Sequence, residues 1–359
     1  VWSSNTTVIH KAIGYSEKIK AAKIMESCLK VLKKEIKNRG ITIYKDIDPN
    51  TTGLIFKEDS PLRTGPGDLE SKQTTLKPNF AALIVDHMVR ADIKSGDTIA
   101  IGMTGSMPGA NIAVLSACKA MNVYPVIISS VGASMWGATD PSFTWIDMEN
   151  ALFNSGKISV KSSAASLGGR GDCLRENGRF GGQDGRNLVI AAIRRNNIKM
   201  VNFLTPISRK NLSNSITIRD SIYKNAKGSL SAYDAYINVG GGVASIGVGG
   251  KEKMRNSGYI SHETIMKYDL RDSMVKRFAK SGVPIIHILN IPYLVEGSIP
   301  FGSEKSKTGE GRLFKEERYN LLVTAFSLFL VLSVVVFIGI YSHSQIKKQM
   351  QSYEPESIL

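Results

Sequence analysis

The chain has 359 residues, 42% hydrophobic and 21% charged, which suits one large or two modest domains and is too apolar for a disordered chain. Lys and Arg outnumber Asp and Glu by 46 to 31, a formal net charge of +15. That balance favours acidic partners such as polyanions or anionic lipid, or reflects Lys-rich codon usage, since the excess is spread along the chain. Three scattered cysteines, Cys28, Cys118 and Cys173, exclude a disulfide scaffold and a zinc ribbon.

From Tyr15 to Arg39, Ile19, Ala22, Met25, Leu29, Leu32 and Ile36 recur at three- and four-residue steps, with Lys18, Lys20, Lys30, Lys33, Lys34 and Lys37 facing elsewhere. This predicts an amphipathic helix ending at Gly40, within an amino-terminal helical segment over 1–45. Residues 46–77 read as a long ordered loop, and Asn79 as the cap of a helix carrying Phe80, Leu83, Ile84, His87 and Met88. Short apolar runs then alternate with helical patterns. Strands are predicted over 98–101, 124–128, 200–204, 235–239 and 283–289, and helices over 108–121, 187–196 and 273–281. The expectation for 46–300 is an α/β domain: a mostly parallel sheet with helices on both faces.

In such sheets ligands collect at the carboxyl ends of strands, so the loops there are the candidate sites. The first runs Gly102–Asn111 from a strand into a helix with Pro108 near its start. Its glycines, Gly105 among them, let backbone approach a ligand, and Thr104, Ser106 and Asn111 make an anion cradle at a helix amino terminus. A tight structural turn is the competing reading. The spacing fits neither a Walker A loop, a dinucleotide fingerprint nor a nucleophile elbow. The second loop offers Ser130 and Ser134, with Trp136 and Trp145 as pocket walls and Asp140 and Asp147 as acid–base groups or helix caps. The third, Ser163–Asp172 and onward to Gly182, carries Arg170, Arg175, Arg179 and Arg186, suited to clamp carboxylates or phosphates. The fourth brings Asn238 into Gly240 and Gly241. His287 lies in an apolar strand and reads as a core histidine ahead of a general base. No metal-ligand spacing occurs, so no metal or other cofactor is expected, and basic and aromatic residues do not interleave as nucleic-acid binding requires.

Residues 301–320 read as a juxtamembrane linker. Leu321–Tyr341 then contains no charge and is long enough for a helix to cross a hydrocarbon layer, which predicts a transmembrane span followed by a short tail over 342–359. Lys305, Lys307, Arg312, Lys315 and Arg318 before the span outnumber Lys347 and Lys348 after it, which alone would place the globular part in the cytoplasm. The opening Val1-Trp2 in place of Met suggests an upstream segment. If that segment is a further span, the globular domain leans extracytoplasmic.

The segments NFAALIVDHMVRA, IAIGMTGSMPGANIAVLSA, VIISSVGASMWGATDPSFTWIDME, SSAASLGGRGD, AYINVGGGVASIG and GVPIIHILNI occur in this order. Together they resemble the bacterial poly-gamma-glutamate system protein family, associated with making or exporting the γ-linked glutamate polymer of capsules. The resemblance runs from about the first helix through the terminal span. It implies an accessory protein of the bacterial cytoplasmic membrane, with the lipid bilayer, poly-gamma-glutamate and the membrane synthase subunits as partners. It also implies a membrane helix at each end, and it brings no catalytic residues with it. Two other readings stay open: a hydrolase or transferase acting on γ-glutamyl groups through Ser106, Asp140, Asp147 or His287, and a structural subunit of the synthase.

Overall fold

A computed structural model describes residues 6–176, 181–201 and 211–352. Arg179, the end of the strand expected over 200–204, and tail residues 353–359 lie outside them. The chain divides into two units, 12–314 and 1–11 with 315–359.

In chain order, β1 (Thr7–Lys11) is followed by helices α1 (Tyr15–Asn38), α2 (Leu69–Thr75) and α3 (Asn79–Arg90). Next come β2 (Thr98–Thr104), α4 (Pro108–Met121), β3 (Tyr124–Ser130), α5 (Trp145–Asn154), β4 (Ala164–Ser166), α6 (Gln183–Arg195) and β5 (Lys199–Met200). After α7 (Asn211–Lys227) and β6 (Ala235–Val239) lie two one-turn helices, α8 (Val243–Ile246) and α9 (Gly250–Lys253). The larger unit closes with β7 (Gly258–Ile260), α10 (His262–Lys267), α11 (Met274–Lys280), β8 (Ile285–Ile288) and α12 (Ile291–Val295).

Seven of these strands form one sheet in the order β5-β4-β3-β2-β6-β8-β7. Neighbours are parallel except β7, which runs antiparallel to β8 at one edge. From β2 the chain steps outward through β3, β4 and β5, then crosses to β6 and β8 on the other side. The order therefore reverses between β2 and β6, and a crevice opens beyond their carboxyl ends. Successive strand residues point to opposite sides of a sheet. Ile99, Ile101 and Ile127 accordingly join one apolar cluster, with Met25, Phe80, Leu115 and Trp145. Ala100, Ile128 and Tyr236 join another, with Tyr223, Val275 and Phe278.

Three expectations are corrected. Residues 46–77 are not loop throughout: α2 occupies Leu69–Thr75, with Asp68 accepting the Ser71 N–H at 2.7 Å as its cap. Its sequence, LESKQTT, is too short and too polar to show a helical period. Asn79 does not cap α3; Pro78 holds that position, and the Asn79 amide instead donates to the Lys307 carbonyl at 2.9 Å and accepts the Gly309 N–H at 2.9 Å. On α1 the lysines do not all face solvent. Lys18 is 2% exposed and ion-pairs with Asp86 of α3 at 2.7 Å, while Met25, Cys28, Leu32 and Ile36 are buried as expected.

In the second unit, β1 pairs antiparallel with β9 (Lys315–Tyr319) from Thr7↔Tyr319 to Lys11↔Lys315. Helix α13 (Leu321–Ser352) is long and apolar enough to cross a membrane: its most apolar 18-residue stretch has mean hydropathy 2.9 and none of it is buried. The helix continues eleven residues past the predicted end at Tyr341, because 342–352 contains neither Gly nor Pro to stop it.

Candidate functional site

The crevice at the strand reversal is a cleft of about 510 Å³. Thr104 at the end of β2, Ser106 before α4, Ser130 at the end of β3, Ser134, Arg170, Gly240 and Gly241 all line it. Four loops separated by up to 137 residues thus meet at one place, because parallel strands deliver their carboxyl ends to the same edge. Close approach explains two of the glycines. A Cβ on Gly105 would lie 2.3 Å from the Val131 carbonyl oxygen, and Gly240, at φ +88°, would place one 2.3 Å from Thr104 Oγ1.

Asn111 and Asn238 shape the cleft from beneath. Asn111 is fully buried and its amide donates to the Thr104 carbonyl at 2.8 Å, fixing the turn between β2 and α4. Asn238 donates to the Gly240 carbonyl at 2.8 Å and lies 2.9 Å from His287 Nδ1. Thr104 Oγ1 is buried against the cleft with no partner among the described residues. A buried hydroxyl left unpaired is costly, and a ligand would satisfy it.

Ser130 rests on a buried ionic network. Arg219 of α7 bonds Asp172 at 2.9 Å, Ser166 Oγ at 2.6 Å and Ser130 Oγ at 3.1 Å. Asp172 in turn accepts from Ser166 Oγ at 2.9 Å and from the Ser215 hydroxyl. Arg219 and Asp172 are only 3% and 1% exposed, so the pair positions the β3 and β4 ends and is closed to ligand.

Lys72 was invisible as a site residue in the sequence, where it falls in the stretch read as loop. It extends from α2 into the cleft, is 3% exposed, and donates to the Ser106 carbonyl and, at 2.8 Å, to Ser134 Oγ. Burial lowers its ammonium to about 7; Asp68 works against that shift and Lys251 adds to it. Ser106 Oγ accepts the Ser134 N–H at 3.0 Å. Lys251, Asp68 and the backbone of Gly65 and Gly67 complete the walls. No periodicity or motif signalled these residues; only the fold brings α2 and α9 to the strand ends.

Other candidates lie elsewhere. Asp140 accepts the Ser142 N–H at 2.8 Å and its hydroxyl at 2.6 Å, a local turn. Asp147 caps α5 through the Thr144 N–H at 2.7 Å and takes a two-point bond from Arg195. Burial would raise its carboxyl, but Arg195, Thr144 and Asn196 together hold it below the usual range. His287 is fully buried on β8, and burial holds its imidazole at about 4. Trp145 is fully buried and gives its Nε1–H to Ser129 Oγ at 3.2 Å, while Trp136 packs on the apolar core; neither lines the cleft. Arg186 donates to Gln183 Oε1 at 2.7 Å on its own helix. Among the described residues no group of three or more His, Cys, Asp or Glu could hold a metal ion.

Comparison with family models, curated proteins and solved structures yields no match.

Proposed function

We propose that this chain is a membrane-anchored accessory protein of poly-gamma-glutamate synthesis or export, and that its cleft holds carboxylates of the polymer. The observation that carries this reading is the meeting of Arg170 and Lys251 with hydroxyls and glycine backbone at a strand reversal. Cations, N–H groups and hydroxyls are the partners that carboxylates take in proteins. The net charge of +15 favours a polyanion at longer range. Two apolar clusters fed by alternate residues of the same strands support helices on both faces of the sheet. The exposed apolar helix supports a bilayer anchor, here read as one in the bacterial cytoplasmic membrane.

Full-length protein in detergent is expected to bind poly-gamma-glutamate with an affinity that falls steeply as salt rises. Arg170→Ala combined with Lys251→Ala should weaken binding at least tenfold at low salt. Binding indifferent to both salt and the substitutions would overturn the reading.

A further inference from the structure

We propose that Ser134 and Lys72 form a serine–lysine nucleophilic dyad that cleaves an amide bond flanked by carboxylates. The proposal deepens the acidic-ligand reading and rests on it for the substrate class.

The geometry is that of a base beside its nucleophile: Lys72 Nζ lies 2.8 Å from Ser134 Oγ, although the two residues are 62 positions apart. Lys18, the other lysine buried to this depth, pairs with Asp86 at 2.7 Å. Lys72 is as deeply buried, yet among the described residues it forms no ion pair; it meets only a carbonyl and a hydroxyl. An ammonium so placed gives up its proton readily, and with burial bringing Lys72 to about 7 a large neutral fraction exists at neutral pH. The charged groups acting on it are Asp68 from the cap of its own helix and Lys251 from α9, with Arg170 lining the same cleft. The facing turn of α4, Pro108–Asn111, and the loop 131–138 carry no titratable side chain.

Ser134, rather than Ser106, is the nucleophile. Lys72 touches Ser106 only at its backbone carbonyl, and the Ser106 hydroxyl accepts the Ser134 N–H at 3.0 Å. Together with the Met135 N–H donated to the Gly65 carbonyl at 3.1 Å, that bond fixes the backbone carrying Ser134. Ser134 is half-buried and lines the cleft, so its Oγ can meet a ligand.

In the reaction, neutral Lys72 takes the Ser134 hydroxyl proton as Oγ bonds to the amide carbon, and the carbonyl π pair moves onto oxygen. The Thr104 hydroxyl, which lines the same cleft and has no partner among the described residues, is the candidate donor for that oxyanion. Collapse re-forms the carbonyl and breaks the C–N bond, and the departing amine receives the proton from Lys72. Water then attacks the acyl-serine, Lys72 accepts its proton and passes it to Ser134 Oγ, and an acid is released. The sum is amide plus water to acid plus amine.

The test uses full-length protein in detergent, a fluorophosphonate probe and a γ-linked glutamate oligomer. Oγ displaces fluoride from the probe's phosphorus, which leaves a covalent adduct. A single adduct on Ser134 is expected, absent in Ser134→Ala and formed at least 100-fold more slowly in Lys72→Met. In the wild type its rate should rise with pH through about 7. The oligomer should be cleaved with the same dependence. Should Lys72→Met fail to fold, the wild-type pH profile and Ser134→Ala decide. An absent adduct, an adduct elsewhere, or a flat pH profile would overturn the dyad. Polymer binding is measured in parallel on the wild type. Polymer binding without labelling sinks the dyad and spares the acidic-ligand reading; labelling without polymer binding keeps the dyad and sinks the acidic-ligand reading.

Discussion

His287 and His87 are neutral in the fold because burial lowers each to about 4, with Arg90 adding to the effect on His87. Unfolded, each binds a proton at about 6.5. Between pH 4 and 6.5 the unfolded chain therefore holds more protons, and stability rises with pH across that window. Glu149 works in the opposite sense. Burial pushes its carboxyl up to about 7 against hydrogen bonds from Ser162, so the folded state holds the extra proton and stability falls from pH 4.5 to 7. Two histidines outweigh one carboxyl, so the melting temperature is expected to climb from pH 4.5 to 6.5. Glu149→Gln should steepen that climb and His287→Gln should flatten it, as thermal unfolding at stepped pH will read. The thiols provide a second check at this scale. Burial raises Cys28 to about 11 and Cys118 to about 12, and all three cysteines are buried. A thiol reagent should label none of them until the chain unfolds; labelling at native rates would contradict the packing around α1 and α4. The burial of His287 was legible from its apolar strand, whereas the partners of Glu149 and His87 were not, because they come from distant segments.

At the scale of elements, the cleft depends on how tightly the loops after β2 and β3 approach each other. Gly105→Ala would drive a Cβ into the Val131 carbonyl, a backbone atom that cannot swing aside. The expected loss is about 1–3 kcal/mol of stability, measured by denaturant unfolding, together with weaker polymer binding. Helix α5 tests the reading of Asp147 as a cap. Asp147→Ala removes the Thr144 and Arg195 bonds and should cost about 2 kcal/mol. A full loss of cleft chemistry with unchanged stability would instead restore Asp147 to the site. The helix over 108–121 and the strand over 235–239 were legible to the residue, since Pro108 starts the one and an apolar run bounded by glycine sets the other. Helix α2 was not. Seven residues span barely two turns, and its order comes from the Asp68 cap and from burying Lys72 and Thr74 against the rest of the unit.

At the scale of the whole molecule, Arg219 joins α7 to the ends of β3 and β4 through a fully buried ion pair. Arg219→Met strands Asp172 as an unpaired buried charge and should destabilise the protein by about 3–5 kcal/mol. Asp172→Asn together with Arg219→Met should recover part of that loss, which a double-mutant cycle would show. Helix α13 carries its own prediction. Full-length protein is expected to stay with membranes after carbonate extraction, and Val335→Arg with Val336→Arg, two charges near the middle of the apolar stretch, should release it at a cost of about 3 kcal/mol for each. Extraction of the unsubstituted chain by carbonate would contradict a membrane anchor.

The amino-acid sequence alone determined the class of fold, the four loops that meet at the cleft and the long apolar carboxyl-terminal helix. Each of these follows from short-range patterns: apolar runs, glycine at turns and an uncharged stretch of sufficient length. Only the tertiary structure decided that Lys72 reaches Ser134, that Asp140 and Asp147 serve the scaffold, and that Arg219 lies beneath the cleft. Those outcomes depend on the strand order, which sets which distant residues share one edge of the sheet and which ionisable groups lose their water.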